Sequence, residues 1–306
     1  MSSDAFELPS FAKVNWLLRV LGKRPDGYHE LCTILQTVSL CDRIRFEPSD
    51  ALTLECAAPG IPTDSTNLIL RAADALRDAF GVRMGARIVL EKRIPAPGGL
   101  GGGSSNAATA LLGLSILWDL KIGFPDLTKI GASIGSDVPF FFFGGTAIGH
   151  GRGELIEPLP DIEQKYMIIA KPAIAVPTSD AFRRLNLQPL TKNDPESILK
   201  LCRKAGRELH DGRQVPANDF ERSVFASFPE IERVRDRLVE HGAESALLSG
   251  SGASVFAVFE KEETRQATLK ALGNEKDWRM FAVATVSRDE YRRALVRACR
   301  LFPISF

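Results

Sequence analysis

The sequence predicts an α+β protein of two domains, and three observations carry that reading. Short segments of alternating apolar residues recur in the first half, while polar-faced helical stretches separated by shorter β-like runs fill the second. The two kinds of segment do not alternate strictly, as they would in a doubly wound fold. With 306 residues and 44% hydrophobic content, the chain can bury about two cores of ordinary size.

Taken in chain order, Ala12 to Val20, Asp42 to Glu47, Leu52 to Cys56 and Ala86 to Glu91 read as strands, and Asn67 to Phe80 as the helix that interrupts them. Asp26-Gly27-Tyr28-His29 has the composition of a hairpin turn. The densest apolar run, Val138-Pro139-Phe140-Phe141-Phe142-Phe143, ends in Gly144-Gly145 and reads as a buried strand. Pro195 to Leu209 and Phe220 to His241 read as helices; Tyr166 to Ala170, Val255 to Phe259 and Met280 to Val286 read as strands. Two prolines and mixed charges in Glu157 to Tyr166 place the domain boundary there, dividing the chain into 1–160 and 161–306. No internal repeat or low-complexity tract interrupts this order.

Composition removes several function classes. Lys and Arg number 39 against 38 Asp and Glu, a formal charge of +1, so no electrostatic excess drives binding to nucleic acid or an anionic membrane. Arg183-Arg184 and the basic run from Arg292 to Arg297 therefore read as solvated helix faces. Cys32, Cys41, Cys56, Cys202 and Cys299 lack CxxC pairing, and with four histidines no zinc-type cluster is expected. Reduced thiols in a cytoplasmic setting fit this pattern. Met1 to Val20 lacks the pattern of a leader, and no stretch approaches the roughly 18 apolar residues of a membrane span.

The most informative segment runs Pro95-Ala96-Pro97-Gly98-Gly99-Leu100-Gly101-Gly102-Gly103-Ser104-Ser105-Asn106 and leads into an Ala- and Leu-rich helix ending near Leu120. Glycines let backbone approach an anion closely, and the free N–H groups of a first helical turn donate to phosphate oxygens with help from the helix dipole. The alternative is a flexible turn capped by Ser104 or Ser105. A GxxxxGK[ST] loop is excluded because no lysine follows the last glycine, and a GxGxxG fingerprint because Ser104 stands where its third glycine belongs. The H-R-D and D-F-G elements of protein kinases are absent.

This segment, with Phe11-Ala12-Lys13-Val14-Asn15-Trp16-Leu17-Leu18 before it and Leu248-Ser249-Gly250-Ser251-Gly252-Ala253-Ser254-Val255-Phe256 after it, resembles the three ordered motifs of the GHMP kinase superfamily, which includes galactokinase, homoserine kinase and mevalonate kinase. The resemblance spans nearly the whole chain. It implies an N-terminal domain like the second domain of ribosomal protein S5 and a ferredoxin-like C-terminal domain. Arg24-Pro25-Asp26-Gly27-Tyr28-His29 followed by Leu31, Thr33 and Gln36, together with Gly135-Ser136-Asp137-Val138-Pro139 and the triple-glycine loop, is similar to the branch that acts on a cytidine-diphosphate-linked methylerythritol. The implied activity is ATP-dependent phosphorylation of the substrate's 2-hydroxyl, a step of the non-mevalonate isoprenoid precursor pathway. Another small-molecule kinase of the superfamily and a catalytically idle nucleotide-binding regulator are the competing readings.

The resemblance also implies roles. Pro95 to Asn106 would cradle ATP, with Lys92 and Asn67 near the adenine and ribose; Mg²⁺ would sit by the β- and γ-phosphates, with Ser104 or Ser105 as a candidate ligand. Asp137 would accept the proton of the attacking hydroxyl or stabilise charge, with Lys13 beside it to polarise that hydroxyl. On residues alone, Asp137 equally suits a cap or turn, and Lys13 an edge-strand charge. Asn15, Tyr28, His29, Thr178 and Phe182 would hold the substrate, His29 at the cytosine edge and Phe182 stacked on the base. Three positions depart from the family pattern. Leu35 replaces a frequent aromatic, which leaves one ring and an aliphatic wall for cytosine; Pro97 replaces a frequent glycine; and Asn106 replaces a frequent aspartate, though asparagine also occurs there.

Overall fold

The computed structural model describes residues 5–185, 195–212 and 216–298; Cys299 lies outside them. Two sheets organise the chain. The first is built on one long antiparallel pair, β1 (Phe6–Lys23) and β2 (His29–Glu47), joined by a turn at 24–28 in which the Arg24 amide donates to the Tyr28 carbonyl and Gly27 takes a positive φ. The pair bends at register shifts between Phe11 and Ala12, Asn15 and Leu17, and Val20 and Gly22. Bulges of this kind bend a strand and re-aim its side chains. The bent β2 can then serve two neighbours: its last residues pair with β4 (Ala86–Glu91), which carries β3 (Leu52–Glu55), and its first with β5 (Thr146–Gly151), which carries β6 (Leu155–Pro158).

Helices cover one face of this sheet. In α1 (Leu68–Phe80), Asn67 caps the start by accepting from the Ile69 amide, and Gly81 ends it at φ 64°. α2 (Gly102–Leu117) is rich in alanine and leucine and buried nearly all round, against α1 and the strands. Gly113 faces Phe46, and a Cβ there would lie 2.4 Å from the ring. α3 (Phe124–Ile134) and α4 (Phe140–Phe143) complete the layer.

The run at 138–143, expected as a strand, is instead a turn and the short helix α4. Pro139 sits in the helical region, and Gly144 at φ 65° closes the turn by donating to the Phe140 carbonyl. Phe140, Phe141 and Phe142 are all buried, and an apolar run this short carries no periodicity to separate helix from strand.

The second sheet has the order β11 (Trp278–Ala284), β7 (Tyr166–Pro172), β10 (Val255–Phe259), β9 (Ser245–Leu248), all antiparallel. Its chain order, with α5 (Thr178–Arg184) and α6 (Pro195–His210) after β7 and α9 (Glu262–Ala271) after β10, is the β-α-β-β-α-β arrangement of ferredoxin-like domains. The single helix expected over 220–241 is two, α7 (Glu221–Ser227) and α8 (Pro229–Glu240). Pro229 disfavours the helical region for Phe228, whose ψ is 74°.

The change of sheet falls between Pro158 and Tyr166, and two later elements return across it. β8 (Ala217–Asn218) pairs in parallel with β1 at Leu17 and Leu18. α10 (Arg288–Ala298) places Tyr291 and Leu295 in the first core. No helix among the described residues is long and apolar enough to cross a membrane.

Gly113→Ala should destabilise the protein by about 1 to 3 kcal/mol through overpacking against Phe46, read as a lower denaturant midpoint. A midpoint equal to the parent's would mean that Phe46 moves aside freely.

Candidate active site

The three motifs converge at one end of the first sheet. Between two bulges of β1, Lys13 and Asn15 stand two residues apart and so project from one face. The Lys13 side chain is buried; its Nζ donates to Asn15 Oδ1 at 2.8 Å and lies 3.5 Å from Asp137 Oδ2. Asn15 Nδ2 donates to Thr33 Oγ1, which donates to the Leu17 carbonyl. One chain of bonds therefore holds the ammonium against Asp137, whose carboxylate is 37% exposed and faces outward from the turn before α4.

The glycine loop closes over this pair. The Lys13 amide donates to the Leu100 carbonyl at 3.0 Å, and a Cβ at Gly101 would lie 3.0 Å from Lys13 Cγ. Gly101, at φ 68°, caps α2 without any side-chain bond, so the first-turn N–H groups of this helix have no intrahelical partner. The third motif packs on the loop from the other sheet. Ser249 Oγ donates to the Gly99 carbonyl at 2.9 Å, the Ser254 amide donates to the Gly98 carbonyl, and a Cβ on Gly99 would meet the Ser249 carbonyl at 2.0 Å. Asn218 in β8 holds that motif by donating to the carbonyls of Leu248 and Gly250. Nothing in the sequence singled out Asn218, because its contacts belong to a two-residue strand.

Within the loop, Pro95 and Gly98 are buried and Ala96 and Pro97 are exposed. Gly102 and Gly103 open α2; Ser104 is half-buried, and Ser105 is buried and accepts from Ser10 Oγ. Asn106 Nδ2 donates to Ser10 Oγ and to Asp42 Oδ2, each at 2.8 Å. Both polar ends of Asn67 are likewise engaged, with the Pro62 carbonyl and the Ile69 amide. Lys92 is paired with the buried Asp42, and burial lowers its proton affinity against the opposing pull of that carboxylate. Its ammonium sits at the start of α2, where a Cβ on Gly102 would lie 2.9 Å away.

At the other end of the hairpin, His29 and Phe182 are stacked with centroids 4.7 Å apart and planes at 19°, and Phe182 meets Phe220 edge-on. Tyr28 is exposed under the Arg152 guanidinium, and Thr178 Oγ1 lies 3.1 Å from Ser251 Oγ. The expected aliphatic wall at Leu35 is absent: this side chain is fully buried in the first core. Glu30, which the sequence did not single out, ties the turn to β5 by accepting from Arg24 and from the Gly151 amide.

Comparison with known proteins gives the family. Residues 67–145 match the model of the GHMP kinases N terminal domain and residues 187–277 that of the GHMP kinases C terminal. The chain belongs to the GHMP kinases, which makes it a small-molecule kinase. A protein of Gloeobacter violaceus is 38% identical over 91% of this chain and 93% of its own, and one of Listeria welshimeri 41% identical over 82% and 86%; each is named 4-diphosphocytidyl-2-C-methyl-D-erythritol kinase. A crystal structure of 4-(cytidine 5'-diphospho)-2C-methyl-D-erythritol kinase superposes with a TM-score of 0.74 at 34% identity, covering 91% of this chain and 98% of that one. Within the GHMP kinases, the chain is thus a member of the 4-diphosphocytidyl-2-C-methyl-D-erythritol kinase family. A homoserine kinase of Cytophaga hutchinsonii shares the fold alone, at TM-score 0.69 and 19% identity over 95% of this chain and 97% of that one.

Burial holds the His29 imidazole below the ordinary histidine range, with Lys23 adding to the effect. Phe182→Ala should return water to the ring and move that titration upward, followed through the ring protons by NMR. An unmoved titration would show that some other group desolvates His29.

Proposed function

We propose that the protein transfers the γ-phosphate of ATP to the 2-hydroxyl of 4-diphosphocytidyl-2-C-methyl-D-erythritol, a step of isoprenoid precursor synthesis. The observation that carries this reading is the Lys13–Asp137 pair, 3.5 Å apart beneath the glycine loop. Phosphoryl transfer asks a protein mainly to position reactants and offset charge. A hydroxyl placed between these side chains meets a carboxylate able to take its proton and an ammonium able to polarise its oxygen. The loop from Pro95 to Ser104 and the open first turn of α2 offer backbone donors to the phosphates, with Lys92 adding charge at the start of that helix.

Bound magnesium supplies neutralising charge at the β- and γ-phosphates. Ser104 is the better protein ligand of the two serines, since its hydroxyl is half-buried while that of Ser105 is inside and bonded to Ser10. Mg²⁺ keeps much of its coordination to water and phosphate oxygens, so one or two protein ligands suffice.

For the cytidine end, Phe182 and His29 offer a stacked pair beside Tyr28, with Asn15, which bonds Lys13, and Thr178, which bonds Ser251 of the third motif, as further substrate contacts. A base entering there exchanges an imidazole–phenyl contact for a base–phenyl one, worth about 1 to 3 kcal/mol per base. We also assign 1–160 and 161–306 as the two domains, on the change of sheet after Pro158. The cytoplasm is the assigned compartment, on the four free thiols among the described residues.

The purified protein should phosphorylate 4-diphosphocytidyl-2-C-methyl-D-erythritol with ATP and leave mevalonate, homoserine and galactose untouched. Turnover of one of those three instead would reassign the acceptor. Asp137→Asn should lower kcat by about 10²- to 10⁴-fold while calorimetry still detects ATP binding; an unchanged kcat would remove Asp137 from the chemistry.

A further inference from the structure

Beneath the glycine loop lies a carboxylate to which neither the motifs nor the comparisons assign a role. Asp42 is fully buried in β2, directly opposite Ser10 of β1. Its Oδ1 accepts from the backbone amides of Arg93 at 2.7 Å and Ile94 at 2.8 Å; its Oδ2 accepts from Lys92 Nζ and from Asn106 Nδ2 at 2.8 Å. Three of these donors lie just before the loop, and the fourth lies just after it, in the second turn of α2. A carboxylate without water is tolerated only when its lone pairs are occupied and a cation balances it, and both conditions are met here.

We propose that Asp42 is the positioning residue of the phosphate loop. One carboxylate ties down both ends of the segment from Pro95 to Ser105, so the span across which the glycines are slung is set from below. The same carboxylate places the Lys92 ammonium at the first residue of α2, beside the N–H groups offered to phosphate. Its action passes through these partners and not through the reacting atoms.

Asn106 fits this arrangement for a reason independent of the nucleotide. Its amide is the donor that Asp42 Oδ2 requires, and an aspartate at 106 would set two carboxylates in contact within the protein, where like charges repel strongly. Carboxylate at 42 and amide at 106 are therefore reciprocal, and exchanging them conserves both charge and the number of donors.

This inference rests on the reading that the loop holds ATP, and calorimetry with ATP and magnesium, without acceptor, separates the two. If the parent protein does not bind ATP, that reading fails and the inference with it. If it binds, Asp42→Asn should weaken ATP binding by about tenfold or more, as expected for losing a charged hydrogen-bond partner, with the KM of the cytidine substrate held within about twofold. Asn106→Asp should show the same nucleotide-selective loss, and the exchanged pair Asp42→Asn with Asn106→Asp should recover affinity to within about threefold of the parent. Should Asp42→Asn fail to fold, the comparison of Asn106→Asp with the exchanged pair decides alone. Parental affinity in Asp42→Asn, equal rises in both KM values, or an exchanged pair no better than Asn106→Asp would each overturn the proposal.

Discussion

The backbone at Gly99 lies against the turn at 249–252 at a separation that leaves no room for a side chain there. Ser249 and Ser254 bond the carbonyls of Gly99 and Gly98, and any Cβ on Gly99 would drive into the Ser249 carbonyl. This contact joins the ferredoxin-like sheet to the first sheet beside the point where α2 begins. The glycines thus answer two demands at once: they let the loop meet protein backbone, and under the proposed function they let it approach phosphate. Because the seam is backbone against backbone, the loop's shape depends on the register of both sheets.

The rest of the site follows from the bent hairpin beneath the loop. Bulges in β1 bring Lys13 and Asn15 onto the face toward Asp137, and the bond chain through Thr33 to the Leu17 carbonyl anchors that row in the sheet. Burying a lysine is expensive unless its donors find partners, and here they find an amide and a carboxylate. Asp42 occupies the same hairpin a few residues away, turned toward α2. Two ammonium groups, Lys13 and Lys92, thereby flank the start of one helix, each held by a side chain of the β1–β2 pair or of the turn it packs against.

Much of this was legible in the sequence. The strand at 86–91, the helix beginning at 67–68 and the glycine loop opening a helix all have local causes, namely alternation, a capping side chain and absent Cβ atoms. The family resemblance paired Lys13 of the first motif with Asp137 of the Gly135–Pro139 run although 123 residues of chain lie between them, and the two side chains are 3.5 Å apart. The first half of β2 was missed because it is covered on both faces: Glu30, Thr33, Gln36 and Thr37 are buried polar residues, so alternation carries no signal there. The phenylalanine run misled for the reason that hydrophobicity alone does not set a period. Asn106 and Asn67 also bond within the protein, Asn106 to Ser10 and Asp42 and Asn67 to the Pro62 carbonyl, and no local pattern connects Asn106 to its two partners.

The return of α10 has a consequence for how the chain is made. Tyr291 packs beside Phe11, donates to the Phe141 carbonyl and fills space that a Cβ on Gly144 would invade. The first core is therefore incomplete until a helix that begins about 130 residues after the end of β6 has left the ribosome. A nascent chain halted after β6 carries an apolar gap where Tyr291 and Leu295 belong, and β1 still lacks β8 as its parallel neighbour. Such a chain exposes sticky surface during synthesis, so emergence of α10 gates the closing of the first core.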